Sequence, residues 1–323
     1  MNKTQSPKIT VLGSINMDLM IRTENLPLPG ETVIALSKVE NPGGKGANQA
    51  VAAARMGAEV TMVGCVGDDS FADLLMQNLQ DEQVDTSHVV RRDKVASGVA
   101  VVMVEASGEN AILVVPGANG LVSLSEMEQA KQTIRESDVL LMQLEVPQEI
   151  VIAATNVARE AGVPVILDPA PVPVNISENV QRELLHVDLI CPNQSEAAAL
   201  LGKPVDTIDD AIALVGELTL HGSKQAIITL AEQGAVLFDG ERVQTIPAFA
   251  VDVVDSTAAG DAFAAGLAVR LAEKADLIDA VRFASAAGAL AASGNGAQSA
   301  MPSREQIETL LEQQNQERPN ERI

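Results

Sequence analysis

Tryptophan and tyrosine are absent from these 323 residues, phenylalanine occurs five times, and there are only two cysteines and three histidines. The chain therefore has no set of aromatic platforms on which bases could stack. Basic residues are scarce as well, 22 against 44 acidic ones, for a net charge of −22. A protein that neutralises nucleic-acid phosphates needs a basic face, so a nucleic-acid partner is excluded. Cys65 and Cys191 lie in apolar, strand-like contexts, with no Cys or His nearby at metal-ligand spacing, and read as small core residues. His88, His186 and His221 are scattered and fit neither a triad nor a metal site. No apolar run approaches the ~18 residues that a membrane helix needs. The first eight residues are polar, without an apolar signal region. A cytoplasmic protein with no membrane partner is expected. The acidic field also gives a polyanionic ligand no long-range attraction. Any phosphate site must use local devices: backbone N–H groups, a helix N-terminus, a single cation and bound metal ions.

What is present is an ordinary globular composition, 46% hydrophobic and 20% charged, long enough for one large α/β domain with an ample core. A strand is expected at 9–13, a helix at 47–56, a strand at 59–66 and a helix at 70–79. From residue 125 apolar strands at 139–144, 163–168, 189–192 and 226–230 alternate with helices at 148–161, 177–185, 194–201 and 209–221. That rhythm implies βαβ units and a parallel sheet covered on both faces. A hairpin at 234–247, helices at 258–273, 277–293 and about 303–315, and a polar tail at 316–323 complete the body. Two early strand pairs, roughly 19–42 and 95–116, interrupt the rhythm, the second turning near Gly108. They could extend the central sheet. Flanking a Gly-rich turn, they read better as a small β lid over the carboxyl ends of the parallel strands, where open α/β sheets bind ligands. The expected division is a body of 1–18, 43–94 and 117–323 and a lid of 19–42 and 95–116.

Chemistry concentrates in a few runs. Asp255-Ser-Thr-Ala-Ala-Gly-Asp261 follows a strand-like segment and opens a helix. Gly260 lets backbone approach a ligand, the first-turn N–H groups can bind anionic oxygens, and Asp261 beside them can accept a hydroxyl proton. Alone, the run also fits an Asp that merely caps the helix. Pro42-Gly-Gly-Lys-Gly-Ala-Asn48 opens another helix but does not match Gly-x4-Gly-Lys-Ser/Thr. Its bare backbone, with donors on Lys45 and Asn48, suits a hydroxyl-rich ligand, though a tight connection without a ligand also fits. Asn16-Met-Asp18 sets a carboxamide and a carboxylate two residues apart, able to grip adjacent hydroxyls. Glu145 ends one strand, and Asn193 and Glu196 follow another, where a plain capping box is the simpler alternative. The turn Thr229-Leu-Ala-Glu-Gln-Gly234 ends a further strand with amides that could face phosphates.

Taken together, Gly13-Ser-Ile-Asn-Met-Asp18, Gly43-Gly-Lys-Gly-Ala-Asn48, Leu141-Met-Gln-Leu-Glu145, Pro192-Asn193 with Glu196, and the run ending at Asp261 resemble, in order and spacing, the ribokinase-like carbohydrate kinases. The likeness spans about residues 9 to 315. It implies a three-layer α/β/α domain with a mostly parallel central sheet and a small β-sheet lid, the lids pairing into a homodimer. It implies phosphorylation of D-ribose at O5 by ATP, with Mg2+ and activation by K+. Asn16, Met17, Asp18, Gly44, Lys45, Gly46, Ala47, Asn48 and Glu145 would surround the sugar, with Asp261 as base and the amides of Ala258, Ala259 and Gly260 as anion hole. Asn193, Thr229, Leu230, Ala231, Glu232, Gln233, Gly234 and Ser285 would surround the nucleotide beside Gly260 and Asp261. Asn193 and Glu196 would hold Mg2+ through water. Asp255, Thr257, Ala291, Gly294, Gly296 and Ala300 would hold K+. Two positions depart from the pattern: Ala300 stands where a Ser hydroxyl is usual, and Ser285 where a His or Asn is common. The alternatives are a related kinase acting on deoxyribose, a ketohexose or a nucleoside, and a non-catalytic sugar-binding protein on the same scaffold.

Overall fold

The computed structural model describes residues 6–107, 109–174 and 176–317. Gly108 and the tail beyond residue 317 lie outside the described residues.

The chain starts with β1 (Lys8–Leu12), β2 (Asn16–Arg22) and β3 (Ser37–Gly43), followed by α1 (Lys45–Arg55), β4 (Glu59–Val66), α2 (Ser70–Asp81) and β5 (Asp85–Arg91). A hairpin of β6 (Gly98–Val104) and β7 (Asn110–Val115) precedes α3 (Leu124–Glu136) and β8 (Val139–Met142). Helices and strands then alternate: α4 (Gln148–Ala161), β9 (Val165–Leu167), α5 (Glu178–Leu184), β10 (Leu189–Ile190), α6 (Gln194–Leu201), α7 (Ile208–Thr219) and β11 (Gln225–Thr229). The hairpin β12 (Ala235–Phe238) and β13 (Val243–Ile246) leads to α8 (Ala259–Ala272), α9 (Leu277–Ser293) and α10 (Arg304–Glu317).

A nine-stranded sheet runs β13-β12-β11-β10-β9-β8-β1-β4-β5. It is parallel from β11 to β5, with the antiparallel hairpin at the opposite edge. Every residue of β8 and β9 is buried, as strands covered on both faces must be. The Ala-rich α1, α8 and α9 close one face, and α3, α4 and α7 the other. Small side chains permit the close approach: a Cβ added at Gly266 of α8 would lie 3.1 Å from Ala284 Cα of α9. This is the expected three-layer arrangement. Both cysteines are free and buried in it. Among the described residues no helix is long and apolar enough to cross a membrane.

The early inserts form a separate four-stranded sheet, β3-β2-β6-β7. Its strands differ from the expected ones. The first pair, expected within 19–42 from its apolar content, is set by register instead, which pairs Asn16 with Gly43 through Arg22 with Ser37. β2 also pairs in parallel with β6 from Asn16 to Arg22. A strand with a neighbour on each side can carry polar residues, because its backbone groups are satisfied whatever the side chain. The second sheet therefore begins at Asn16 and includes Gly43, residues assigned above to the body. β5 was missed altogether. As an edge strand, Asp85-Thr-Ser-His-Val-Val-Arg91 needs no continuous apolar run. Helix α10 continues to Glu317, so 316 and 317 do not belong to an irregular tail.

Candidate active site

Three glycines bring the end of β1 against the start of α1. A Cβ at Gly46 would lie 2.7 Å from the Gly13 carbonyl carbon, and one at Gly44 would lie 2.7 Å from the Asn16 nitrogen. Gly44 also has φ 88, in the left-handed region where a side chain is strained. A Cβ at Gly13 would lie 1.9 Å from Gln143 Oε1. Within this close approach the Ser14 hydroxyl donates to Glu145 Oε2, which also accepts the Lys45 N–H at 3.4 Å. Glu145 is thereby tied at the mouth of β8.

A buried chain of amides and carboxylates lies beneath. Asp261, 4% exposed in the first turn of α8, accepts from Asn48 Nδ2 at 2.9 Å and from Gln49 Nε2 at 3.0 Å. The same Gln49 Nε2 donates to Asp168 Oδ2 at 2.8 Å, and Gln49 Oε1 accepts from Gln143 Nε2 at 2.5 Å. One side-chain amide thus joins two carboxylates, one just past β9 and one in α8. Burial raises the pKa of Asp261 above the usual carboxylate range, against the opposing pull of Lys45, Asn48 and Gln49. Burial pushes Asp168 up to about 8, with Lys45 opposing. Asp18 rises to about 7, through burial and then the negative fields of Glu145 and Asp261. Lys45 answers this cluster. Burial would lower its pKa, but the summed fields of Asp261, Asp168, Glu145 and Glu196 hold it above its ordinary value. Asp18 Oδ1, Asn48 Oδ1 and Gln143 Oε1 are buried with no hydrogen-bond partner among the described residues. Orphan acceptors beside a lysine and converging carboxyls are what a ligand with several hydroxyls would satisfy.

At the mouth of α8, Ala258 takes a left-handed conformation with φ 60, and no side chain caps the helix. Nothing lies within 4 Å of a Cβ built on Gly260, so this turn borders open space. Of the expected anion hole, the Ala259 N–H is occupied by the Ser256 carbonyl at 3.2 Å. Asp261 is therefore not a cap: its carboxylate turns to Asn48 and Gln49 instead.

The residues expected to take the nucleotide and its ions are assembled differently. Asn193 and Glu196 do form a capping box on α6, Asn193 Oδ1 accepting the Glu196 N–H and Glu196 Oε2 accepting the Asn193 N–H, both at 2.9 Å. Asn193 also bridges Thr229, which aligns the ends of β10 and β11. In the turn after β11 the Leu230 N–H is taken by the Gly234 carbonyl, the Gln233 N–H by Leu230 and the Gly234 N–H by Ala231. Ala231 and Glu232 keep the amides not used in these bonds, while the Leu230 side chain is 0% exposed and faces the core. Ser285 lies within α9 with its Oγ buried and without a hydrogen-bond partner among the described residues. Asp255 Oδ1 accepts the Thr257 N–H at 3.0 Å and Oδ2 the Gly296 N–H at 3.1 Å. Burial opposes, but these bonds and Arg22 hold its pKa below the usual range. Ala291 at the end of α9 and Gly294 share a hydrogen bond, a Cβ on Gly294 would lie 2.7 Å from Ala300 Cβ, and Asp255 reaches this segment through Gly296 from the turn before α8. Among the described residues no group of three or more His, Cys, Asp or Glu could hold a metal ion.

Sequence reasoning passed over Ser14, Gln49, Gln143 and Asp168. Asp168 carried a usable signal, since it ends an apolar strand just as Glu145 does. Gln143 carried a weaker one, a lone amide in an otherwise apolar strand. Gln49 carried none: beside Asn48 on a helix it looks like any polar residue.

With this geometry in hand, the likeness to known proteins is specific. The model of the pfkB family carbohydrate kinases matches residues 6–304. The ribokinase of Haemophilus influenzae is 38% identical over 307 residues, 94% of this chain and 98% of that protein. The deoxyribokinase of Salmonella typhimurium is 36% identical over 303 residues, 94% and 98% of the two. The solved structure of Arabidopsis thaliana ribokinase, complexed with ribose and ATP, superposes with a TM-score of 0.84 at 34% identity, covering 95% of this chain and 99% of that one.

Proposed function

The chain belongs to the pfkB family of carbohydrate kinases, and from that premise we propose that it transfers the γ-phosphoryl group of ATP to O5 of D-ribose, giving D-ribose 5-phosphate. The observation that carries this reading is Asp261, a buried carboxylate in the first turn of a helix whose mouth opens at Gly260. Burial makes its anion avid for a proton. It takes that proton from the O5 hydroxyl as O5 bonds to phosphorus. The free first-turn N–H groups of α8 receive the negative phosphoryl oxygens, and Lys45 is the cation at hand. Asp18, whose Oδ1 has no partner among the described residues, accepts hydrogen bonds from ribose hydroxyls, and Asn16, Asn48 and Glu145 complete the grip.

Asn193 and Glu196 would hold Mg2+ through water; oxygen donors suit that ion, and Glu196 keeps one carboxylate oxygen outside the capping box. When bound, Mg2+ neutralises charge on the β- and γ-phosphates. For K+, the Asp255 carboxylate and the carbonyls of its loop have suitable chemistry, while Ala300 contributes no hydroxyl. The four-stranded sheet acts as a lid that excludes water from the transfer. Exposed Val39, Ile112, Leu113 and Val115 on its outer strands support a homodimer formed through it. The protein is assigned to the cytoplasm.

The deoxyribokinase relative favours a second reading, with 2-deoxyribose as the acceptor. ATP turnover measured with ribose, deoxyribose, a ketohexose and a nucleoside, each with and without potassium, separates the two. Ribose-dependent turnover is expected, reduced at least ~10²-fold in Asp261→Asn. Equal turnover by the variant would remove Asp261 from the role of base. Activity on another sugar alone would replace ribose.

A further inference from the structure

Asn119 lies in the short 3-10 turn Gly117–Leu121, which returns the chain from β7 to the body, and it is 1% exposed. Its Oδ1 accepts the Ile15 N–H at 2.9 Å. Its Nδ2 donates to the Ile15 carbonyl at 3.2 Å and to Asn16 Oδ1 at 2.7 Å. The orientation of both carboxamides follows from groups whose roles cannot be exchanged. A peptide N–H only donates and a peptide carbonyl only accepts, so Ile15 leaves the Asn119 amide a single arrangement. Its Nδ2 then only donates, and Asn16 must turn an oxygen toward it. Asn16 Nδ2 is left on the other side of its carboxamide, with no hydrogen bond among the described residues, although Asn16 is only 3% exposed. The fit leaves no slack: a Cβ on Gly98 would lie 2.2 Å from both Asn119 Nδ2 and Asn16 Oδ1.

We propose that Asn119 is a positioning residue for the acceptor sugar, holding the Asn16 carboxamide in the orientation that offers Nδ2 as a donor to a sugar hydroxyl oxygen. This rests on the reading of Asn16 as a sugar contact. Asn119 touches no substrate itself. Its turn also follows β7 directly, so the orientation of Asn16 is tied to the segment that joins the lid to the body.

Asn119→Asp tests it. The variant keeps the shape and the acceptor for Ile15, but sets an oxygen against Asn16 Oδ1. Asn16 then turns Nδ2 toward the introduced carboxylate and shows the sugar an acceptor. The expected result is a KM for ribose about tenfold higher or more, with KM for ATP unchanged and kcat at saturating ribose falling far less than KM rises. In an Asn16→Ala background the same change should add nothing to the ribose KM, while lowering Tm as it does in the parent. Equal KM increases in both backgrounds, or no increase in the parent, would overturn the inference alone. An Asn16→Ala protein with unaltered ribose KM would overturn the sugar-contact reading and the inference with it. Should Asn119→Asp fail to fold, Asn16→Asp carries the test, since it keeps an oxygen toward Asn119 and replaces only Nδ2. A ribose KM raised as in Asn16→Ala supports the orientation; an unchanged KM overturns it.

Discussion

In the half of the site proposed to take the sugar, Asp18, Asp168 and Asp261 are withdrawn from water, and burial raises the pKa of all three. In the half proposed to take the nucleotide and its ions, Asp255 receives two backbone N–H bonds that hold its pKa down, and Asn193 and Glu196 satisfy each other at a helix start. The first group is incomplete without a ligand: it holds acceptors with no partner and carboxyls crowded around one lysine. The carboxylates of the second are already bonded to the chain itself, in caps and turns that many proteins use structurally. One half of the site is thus built at some cost to stability, as sites for charge-developing chemistry often are. The other half is built from groups that stabilise the fold first and offer a ligand what remains.

Gln49→Leu should break the comparison hardest. It removes the amide that joins Asp168 to Asp261 and unpairs Gln143, in a position with no access to water. Unfolding measurements should show a loss of at least ~2 kcal/mol, and kcat should fall about 10²-fold as Asp261 loses one of its two anchors. A protein that melts and turns over like the parent would show that the amide chain is not what holds the base.

Asp18→Asn sharpens the electrostatic half. A carboxyl raised to about 7 keeps its proton in the folded protein while the unfolded chain has released it above about 4. Its stabilising contribution is therefore fully present below about pH 4 and is lost as pH rises toward 7. The neutral amide loses nothing over that window. The Tm of the variant relative to the parent, both without ligand, should rise steadily between pH 4 and 7; a constant difference would mean that Asp18 is already ionised.

The smallest effect is expected at Asn193→Ala. Loss of the cap should cost about 1 kcal/mol. The KM for ATP should rise while that for ribose stays the same. An effect confined to ribose would dissolve the division between the two halves.

Much of the frame was legible in the chain. The parallel strands, the helix starting near Asp261 and the glycine turn at 43–46 follow from runs of neighbouring residues, and they formed near where those runs predicted. β2 and β3 were misjudged because pairing, not apolar content, sets their ends. β5 was missed because an edge strand carries no strong pattern. In the site, Glu145 and Asp261 were readable from strand and helix ends, whereas Gln49 and Asn119 were not, since nothing local distinguishes them from surface amides.

By itself the sequence determined the α/β alternation, the glycine-rich approach to a ligand and the carboxylate at the mouth of α8. These depend on backbone freedom and apolar periodicity, which act over a few residues. Only the tertiary structure decided that one amide at position 49 joins carboxylates at 168 and 261, and that Asn119 sets which end of Asn16 is free. Hydrogen bonds between residues a hundred or more positions apart exist only once the sheet and its helices have closed around them.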